Sequence, residues 1–212
     1  MKVTLVNLAC YFETTQSMLD GTGSLCRYPQ GSQLDEALQF LHAHGKRTVA
    51  VVMSLGVVDS LYSCGYFDAA CQAARYADAT VRLQTILGRL REAGGDVPIA
   101  TINYFDALLA LWFAPDPGQA LAQLSVPVVA HPLKAFVEDA YSPFGVTVVD
   151  TQAAFQTDDF TDMVTLPGFG SVPVNVASIC AYTYICSPFA DVHANPAGNA
   201  VIAHAVELAV GL

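Results

Sequence analysis

The sequence has few charged residues, and basic residues are the rarer kind. Only 13% of the 212 residues are charged, and 9 Lys and Arg stand against 19 Asp and Glu, for a formal net charge of −10. Binding to nucleic acid depends on clusters of Lys and Arg, and the sequence has no such cluster. It also lacks an uninterrupted apolar run of the roughly 18 residues that a transmembrane helix needs. We therefore expect neither nucleic acid as a partner nor a membrane span.

Several patterns that carry chemistry are also missing. No C-x-x-C spacing occurs, which makes a cysteine-based zinc site a weak interpretation. No G-x-S-x-G pattern marks a nucleophilic serine on a strand-to-helix turn. Ser17, Ser54 and Ser60 remain as candidate nucleophiles, but a turn, a strand end and a helix cap explain them equally well.

The six cysteines are close together in three pairs, Cys10 with Cys26, Cys64 with Cys71, and Cys180 with Cys186. An even number at short spacings indicates three disulfides and an oxidising compartment, extracellular or periplasmic. The pairing is inferred from proximity in the sequence. The stretch Met1–Val6 is too short and too strand-like for a signal peptide. We expect from this conflict that a segment is missing at the front.

The length and the hydrophobic content of 53% predict one globular domain over residues 1–212. Apolar runs predict strands at residues 2–9, 47–55, 98–102 and 146–149. Between them the pattern predicts a helix that Ser32 caps and that runs to about His44, a long helix ending near Ala93, and helical pieces at 105–125 and 128–141. Strands that alternate with helices indicate a parallel sheet with helices on both faces, a three-layer α/β/α fold.

Near the end of the chain, Asp191 and His193 precede a helix that runs to Val210. Asn195 is a good N-cap and Pro196 fits the first helical position, where no backbone N–H is needed. The sequence therefore predicts Asp191 and His193 on a short loop that a strong cap holds in place. The alternative is a histidine that only packs near a helix end.

In a parallel sheet the ligand site lies outside the carboxyl ends of the strands, so four segments should converge, at 10–15, 56–60, 103–106 and 191–193. Their polar side chains are Glu13, Asp59, Asn103, Asp106, Asp191 and His193. A histidine beside a carboxylate is the base half of a nucleophilic site. A second chemistry uses Glu13, Asp59, Asp191 and His193 to hold a divalent cation that activates water.

Several of these stretches together resemble the SGNH (GDSL-type) hydrolases, in particular their secreted, disulfide-bearing actinobacterial branch. The resemblance extends over most of the chain, and its most specific parts are the last block and the three cysteine pairs. The stretches that carry it are Val6–Cys10 with Glu13–Thr15, Ser54–Asp59, Asn103–Asp106, Cys180–Cys186 and Asp191–Gly198.

This resemblance implies a flavodoxin-like sheet and hydrolysis of carboxylic esters or lactones, often of lipids or acylated sugars, without a metal or cofactor. It makes His193 the catalytic base and Asp191 its partner. The broad family writes this motif D-x-x-H, which would place the acid at Ala190, whereas the branch often writes D-x-H. The residues that the resemblance places at the substrate are Phe12, Glu13, Gly56, Val58, Asp59 and Asn103.

The departures from the family fall on catalytic positions. The first block, Gly-Asp-Ser-Leu with the nucleophilic serine, is absent, and with it the first, central strand of the sheet. Phe12 replaces the glycine whose backbone N–H serves the oxyanion hole, and Val58 replaces the asparagine that also donates to it. Loss of one such donor costs on the order of 10²–10³ in rate. The remaining strands could close up, or a second copy or a separate polypeptide could donate a strand.

Three hypotheses follow. The first is an ester or lactone hydrolase that uses His193 and Asp191 with a non-standard nucleophile or activated water. The second is an inactive relative in which Phe12 and Val58 make the old oxyanion pocket apolar, suited to an acyl or other apolar ligand. The third is a metal-dependent hydrolase. The intact His–Asp motif favours the first.

Overall fold

The computed structural model describes residues 3–61 and 63–211. Helices make up 55% of the residues and strands 11%, so the predicted mixed α/β composition is confirmed. The chain divides into two compact units. Unit 1 consists of residues 1–99 and 139–146, and unit 2 of residues 100–138 and 147–212. A single domain over residues 1–212 stays a prediction.

Unit 1 is built around two helices whose apolar faces pack together. Its elements are α1 (Thr15–Asp20), α2 (Gln33–His44), β1 (Val51–Val52), α3 (Val57–Leu61) and α4 (Ala69–Gly94). The two helices α2 and α4 are in contact, and Leu34 and Leu38 on α2 and Leu83 and Leu87 on α4 are buried. Their spacing of four residues keeps each pair on one helical face. The predicted N-cap Ser32 is confirmed, because its side chain accepts the N–H of Asp35.

The strand predicted at residues 2–9 is wrong over the part that is described; Lys2 lies outside it. Residues 3–9 are not in a strand, and no backbone hydrogen bond joins them to another described segment. The carbonyl of Leu8 accepts hydrogen bonds from Tyr28 Oη at 2.7 Å and Gln33 Nε2 at 2.8 Å, whereas Leu5 is 84% exposed. β-Branched residues favour a strand locally, but a strand forms only where a neighbour pairs with its backbone.

The largest described sheet has three strands. The predicted strands at 98–102 and 146–149 are confirmed as β2 (Ile99–Ile102) and β3 (Thr147–Val149), which pair in parallel. The strand predicted at 47–55 shortens to β1, after a 3-10 turn at 45–47; Val51 N–H donates to the carbonyl of Pro98, just before β2, at 2.8 Å. The strand order is β1-β2-β3.

The helices of unit 2 differ in part from the prediction. The helix predicted at 105–125 is a 3-10 segment, Ala107–Phe113, followed by α5 (Gly118–Ser125). Pro115 and Pro117 lie between them, and proline in a helix interior removes a hydrogen bond and clashes with the preceding turn. The piece predicted at 128–141 is confirmed, because a π-helical turn at 126–130 continues into α6 (His131–Tyr141), of which residues from 139 onward belong to unit 1.

The rest of unit 2 surrounds a core of Leu109, Val126, Phe155 and Ile179. Phe105 stacks on Phe155 with their ring centroids 4.7 Å apart. The remaining elements are α7 (Thr151–Ala154), the antiparallel hairpin of β4 (Met163–Leu166) and β5 (Gly170–Pro173), α8 (Val174–Tyr182), the antiparallel pair β6 (Thr183–Tyr184) and β7 (Asp191–Ala194), and α9 (Pro196–Val210).

All six cysteines are paired as the sequence predicts. Cys10–Cys26 and Cys64–Cys71 lie in unit 1, and Cys180–Cys186 lies in unit 2. Their Cα–Cα separations of 5.9, 5.8 and 5.1 Å are in the usual range for disulfides. The pairing is consistent with the expected oxidising compartment.

One continuous helical stretch, Gly118–Phe144, is long and apolar enough to cross a membrane by length and composition, with a mean hydropathy of 1.3 in its most apolar window. Core helices of soluble proteins meet the same criterion, and 44% of that window is buried. The stretch is therefore weak evidence for a membrane span.

Candidate functional site

His193 and Asp191 lie on the short strand β7 in unit 2, so the loop predicted for them is wrong. In the hairpin, Thr183 is opposite Ala194 and Tyr184 is opposite Asp191, with an irregularity between the two pairs. β6 and β7 are too short for an alternating pattern to reveal them. Their pairing depends on contact between two segments of the chain.

The side chains of His193 and Asp191 are in direct contact. His193 Nδ1 lies 2.5 Å from Asp191 Oδ1, and the same oxygen accepts the backbone N–H of His193 at 2.8 Å. Hydrogen bonds from His193, first from its backbone N–H and then from its ring, lower the pKa of Asp191. An ionised carboxylate on Nδ1 keeps the proton on that nitrogen and directs proton uptake to Nε2. This is the geometry of a general base with its orienting group.

The loop of this hairpin is held by a disulfide and by one serine. Cys180–Cys186 joins the last turn of α8 to the loop that connects β6 and β7. Ser187 Oγ donates to the carbonyl of Tyr184 at 2.6 Å and accepts the N–H of Phe189 at 3.2 Å. The loop beside His193 is therefore fixed by local contacts.

The base of the hairpin is joined to α9 through the predicted N-cap, Asn195, which is confirmed. Its Oδ1 accepts the N–H groups of Ala197 and Gly198 at 2.9 and 3.0 Å. Its Nδ2 donates to the carbonyls of Ala181 and Thr183 at 2.8 and 3.0 Å. One side chain thus satisfies the first turn of α9 and fixes the strand that carries His193.

Asn103 in unit 2 is fully buried and uses its side chain for structure. Its Oδ1 accepts the backbone N–H groups of Thr151 and Gln152 at 2.8 and 3.2 Å and the Thr151 hydroxyl at 2.9 Å, while Nδ2 donates to Asp150 at 2.8 Å. These bonds hold the turn after β3 against the end of β2. Contact of Asn103 with substrate stays a prediction.

Asp106, also in unit 2, is buried and caps the 3-10 segment that follows it. Its side chain accepts the N–H of Leu108 at 2.9 Å and the hydroxyl of Ser125 at 2.6 Å. Burial raises the pKa of Asp106 to about 6, against the opposing effect of these two hydrogen bonds. A carboxylic acid with this pKa can exchange a proton near neutral pH, although its partners here are structural.

The predicted acidic residues of unit 1 are both buried. Asp59 on α3 accepts the backbone N–H of Thr15 at 2.9 Å and its hydroxyl at 2.5 Å, and forms an ion pair with Arg82 at 3.3 Å. It therefore joins α1, α3 and α4. Glu13 accepts the hydroxyl of Ser24 at 2.8 Å, and its other carboxylate oxygen is buried without a hydrogen-bond partner among the described residues.

Phe12 in unit 1 has a backbone conformation that glycine adopts readily. Its φ is 59°, and Gly56, in the next predicted site segment, has a φ of 109°. A bulky residue with positive φ is a genuine outlier. At the position where the resemblance leads us to expect glycine, Phe12 still has a backbone N–H, but it adopts this conformation with more strain than glycine would. Val58 lies half-buried in α3 and offers no side-chain donor.

Backbone strain recurs at the predicted segments of both units. Described non-glycine residues with positive φ are Phe12, Tyr104, Gln156 and Ala190. Three of them are direct neighbours of predicted site residues, namely Glu13, Asn103 and Asp191. Strained backbone persists only where its surroundings hold it, and it clusters at active sites.

Two of the three candidate nucleophilic serines, all of which lie in unit 1, are engaged in helices. Ser17 is buried and forms a capping box with Thr14 at the start of α1. Ser60 is buried in α3, where its hydroxyl donates to the carbonyl of Val57 at 3.3 Å. Ser54 follows β1 and is exposed. Ser17 and Ser60 are thus poorly placed for attack on a substrate.

The described residues contain no group of three or more His, Cys, Asp or Glu side chains that could hold a metal ion. Within unit 1, Asp59 is instead paired with Arg82, whose positive charge opposes a cation there. The metal interpretation therefore gains no support.

Sequence reasoning missed the residues that hold the predicted ones in place. Arg82 lies 23 residues from Asp59, and Asp150 lies 47 residues from Asn103. No spacing in the sequence indicates these pairs.

The chain divides the predicted site residues between its units. Phe12, Glu13, Gly56, Val58 and Asp59 belong to unit 1, and Asn103, Asp191 and His193 belong to unit 2. Their convergence stays a prediction. No family model, no curated protein and no solved structure matches this chain. The interpretation of the site therefore depends on the residues and on the geometry within each unit.

Proposed function

We propose that this protein hydrolyses carboxylic ester or lactone bonds, with His193 as general base and Asp191 as the group that orients it. The observation that carries the proposal is the contact of 2.5 Å between His193 Nδ1 and Asp191 Oδ1 on a hairpin held by a disulfide and a helix cap. A base fixed in orientation by a carboxylate is what acyl transfer requires.

The reaction that fits these residues uses water as the nucleophile. His193 Nε2 takes a proton from water while the oxygen adds to the ester carbonyl carbon, which gives a tetrahedral intermediate. The intermediate collapses with cleavage of the bond to the alcohol oxygen, and the imidazolium returns its proton to that oxygen. The products are a carboxylic acid and an alcohol, or a hydroxy acid from a lactone. A non-standard nucleophile in place of water would split this step into two.

We infer a reduced three-layer, flavodoxin-like SGNH architecture that lacks the family's first strand, in a protein that acts outside the cytoplasm. The parallel pair β2–β3, the three disulfides and the positive φ of Phe12 at the family's glycine position support this inference.

A second candidate function is binding of an apolar ligand without turnover. The observation that favours it is the exposed aromatic pair Tyr11 and Phe12, which are 61% and 36% exposed with ring centroids 4.2 Å apart. Exposed aromatic side chains in a strained segment are suited to an acyl chain or a ring.

The test is hydrolysis of short- and medium-chain p-nitrophenyl esters by the purified protein and by His193→Ala and Asp191→Asn. We expect His193→Ala to lower kcat about 10²–10⁴-fold, since that is the usual contribution of a general base. His204→Ala is the matched control, because His204 is an exposed histidine on α9.

Three outcomes of this test distinguish general-base hydrolysis, ligand binding without turnover and hydrolysis through a covalent nucleophile. Equal rates for the wild type and His193→Ala would sink the proposed role of His193. Inertness of every variant, combined with saturable binding of an apolar ligand, would support the binding function. Labelling by a fluorophosphonate would reveal a covalent nucleophile in place of water.

A further inference from the structure

The hairpin that carries His193 also presents an exposed aromatic pair, formed by Tyr184 and Phe189. Phe189 is 80% exposed and Tyr184 36%. Tyr184 lies opposite Asp191 in the hairpin, and its ring centroid is 6.2 Å from that of Phe189. The aromatic rings and the His–Asp pair therefore share one short element of unit 2.

This hairpin surface is held in place rather than carried on a long loop. The disulfide Cys180–Cys186 and the two hydrogen bonds of Ser187 fix the backbone from Tyr184 to Phe189. The N–H of Ala190 also bonds to the carbonyl of Ser187 at 3.0 Å. A fixed apolar surface loses little conformational entropy when a ligand binds, which favours affinity.

The charge around the hairpin selects against anionic ligands. From Ala135 to the end the sequence contains no Lys or Arg, and Asp191 is the one charged residue between Thr183 and Asn195. A carboxylate or phosphate on the ligand would find no lysine or arginine on this part of the chain and would be repelled by Asp191. A neutral, apolar group fits this environment.

We propose that Tyr184 and Phe189 bind the acyl chain of a neutral, medium-chain ester whose carbonyl group faces His193. This inference rests on the proposed hydrolase function and specifies its substrate class. It distinguishes apolar acyl esters from acetylated sugars, which have no chain to cover the rings.

The kinetic test compares p-nitrophenyl acetate with p-nitrophenyl octanoate. We expect Phe189→Ala to raise the ratio of KM for the octanoate to KM for the acetate about 10-fold, because the longer chain loses more contact with the ring than the acetyl group does. Phe169→Ala is the matched control, because Phe169 is 47% exposed next to β5 in the same unit. An unchanged ratio of octanoate to acetate in Phe189→Ala would overturn the proposal.

A binding measurement keeps this inference separate from the hydrolase proposal. The neutral probe N-phenyl-1-naphthylamine is titrated by fluorescence into the wild type, Phe189→Ala and Phe169→Ala. We expect the Kd to rise about 10-fold in Phe189→Ala alone. If no ester is hydrolysed but this change occurs, the hydrolase proposal fails and the apolar site stands. If the Kd is the same in all three proteins, or the wild type does not bind, the hairpin surface is not an acyl site.

Discussion

The backbone strain at Phe12 can be tested directly by two substitutions. Its φ of 59° costs an L-residue roughly 1–2 kcal/mol, whereas glycine adopts this conformation without strain. The two replacements Phe12→Ala and Phe12→Gly both remove the ring, and only the second removes the strain. We therefore expect Phe12→Gly to be about 1 kcal/mol more stable than Phe12→Ala in urea unfolding, the reverse of the usual order.

Tyr11 supplies the control for this prediction, since it is exposed and does not belong to the described residues with positive φ. There the alanine variant should be the more stable one, as in most backbone conformations. The strain at residue 12 would be refuted if Phe12→Ala matched or exceeded the glycine variant in stability.

At the scale of elements, the junction between the His193 hairpin and α9 depends on close backbone approach at Gly198. A Cβ atom at this position would lie 2.0 Å from the carbonyl oxygen of Tyr182, far inside contact distance. That carbonyl also accepts the N–H of Asn195 at 2.9 Å. The clash would therefore disturb the hydrogen bond that holds the N-cap residue of α9. We expect Gly198→Ala to lower the free energy of unfolding by about 1–3 kcal/mol and to reduce any His193-dependent activity.

Gly88→Ala is the matched control for this substitution. Gly88 lies inside α4, where a Cβ atom would have its nearest contact, with the Phe144 ring, at an ordinary 3.9 Å. Alanine is favoured over glycine in a helix interior by about 1 kcal/mol, so this variant should be more stable than the wild type. A loss of stability of the same size in both variants would show that the contact at Tyr182 is not the cause.

At the scale of the whole molecule, the pH dependence of unfolding sums over groups whose pKa values move in opposite directions. The pKa values of Asp20, Asp159 and Asp191 are lowered, first by backbone hydrogen bonds, so their contributions are present above the unfolded pKa near 3.8 and are lost as the pH falls further. Asp106 opposes them, because burial raises its pKa to about 6. The folded protein therefore binds a proton at Asp106 that the unfolded chain has released between pH 3.8 and about 6.

Because the pKa of Asp106 is raised in the folded protein, its ionisation destabilises the folded state as the pH rises. Stability from Asp106 is greatest below pH 3.8 and falls as the pH rises to about 6, by about 3 kcal/mol for a shift of this size. We expect Asp106→Asn to remove this fall, because asparagine can still cap the 3-10 segment and carries no charge. Urea unfolding from pH 4 to 7 measures it, with the exposed Asp96→Asn as control. Parallel pH profiles for the wild type and Asp106→Asn would contradict the prediction.

Local information in the sequence was sufficient for several features of the fold. Ser32 and Asn195 are recognisable as caps because an N-cap acts on residues two or three positions away. The strands at 98–102 and 146–149 and the long helix ending near Ala93 follow from apolar periodicity within a single element. The pairing of Cys180 with Cys186 follows from short separation alone. The sequence by itself determined these features, because their causes lie within a few residues of each other.

Only the tertiary structure decided the features whose partners are distant in the chain. Residues 3–9 have the composition of a strand, yet they are unpaired in the described structure because no neighbouring strand meets them. The roles of Asp59 and Asn103 depend on partners at least 23 and 47 residues away, which no spacing reveals. The pairing of β6 with β7 is closer in the chain, but it too was decided by the tertiary structure, since backbone hydrogen bonds between strands, rather than side-chain pattern, convert the predicted loop of His193 into a strand.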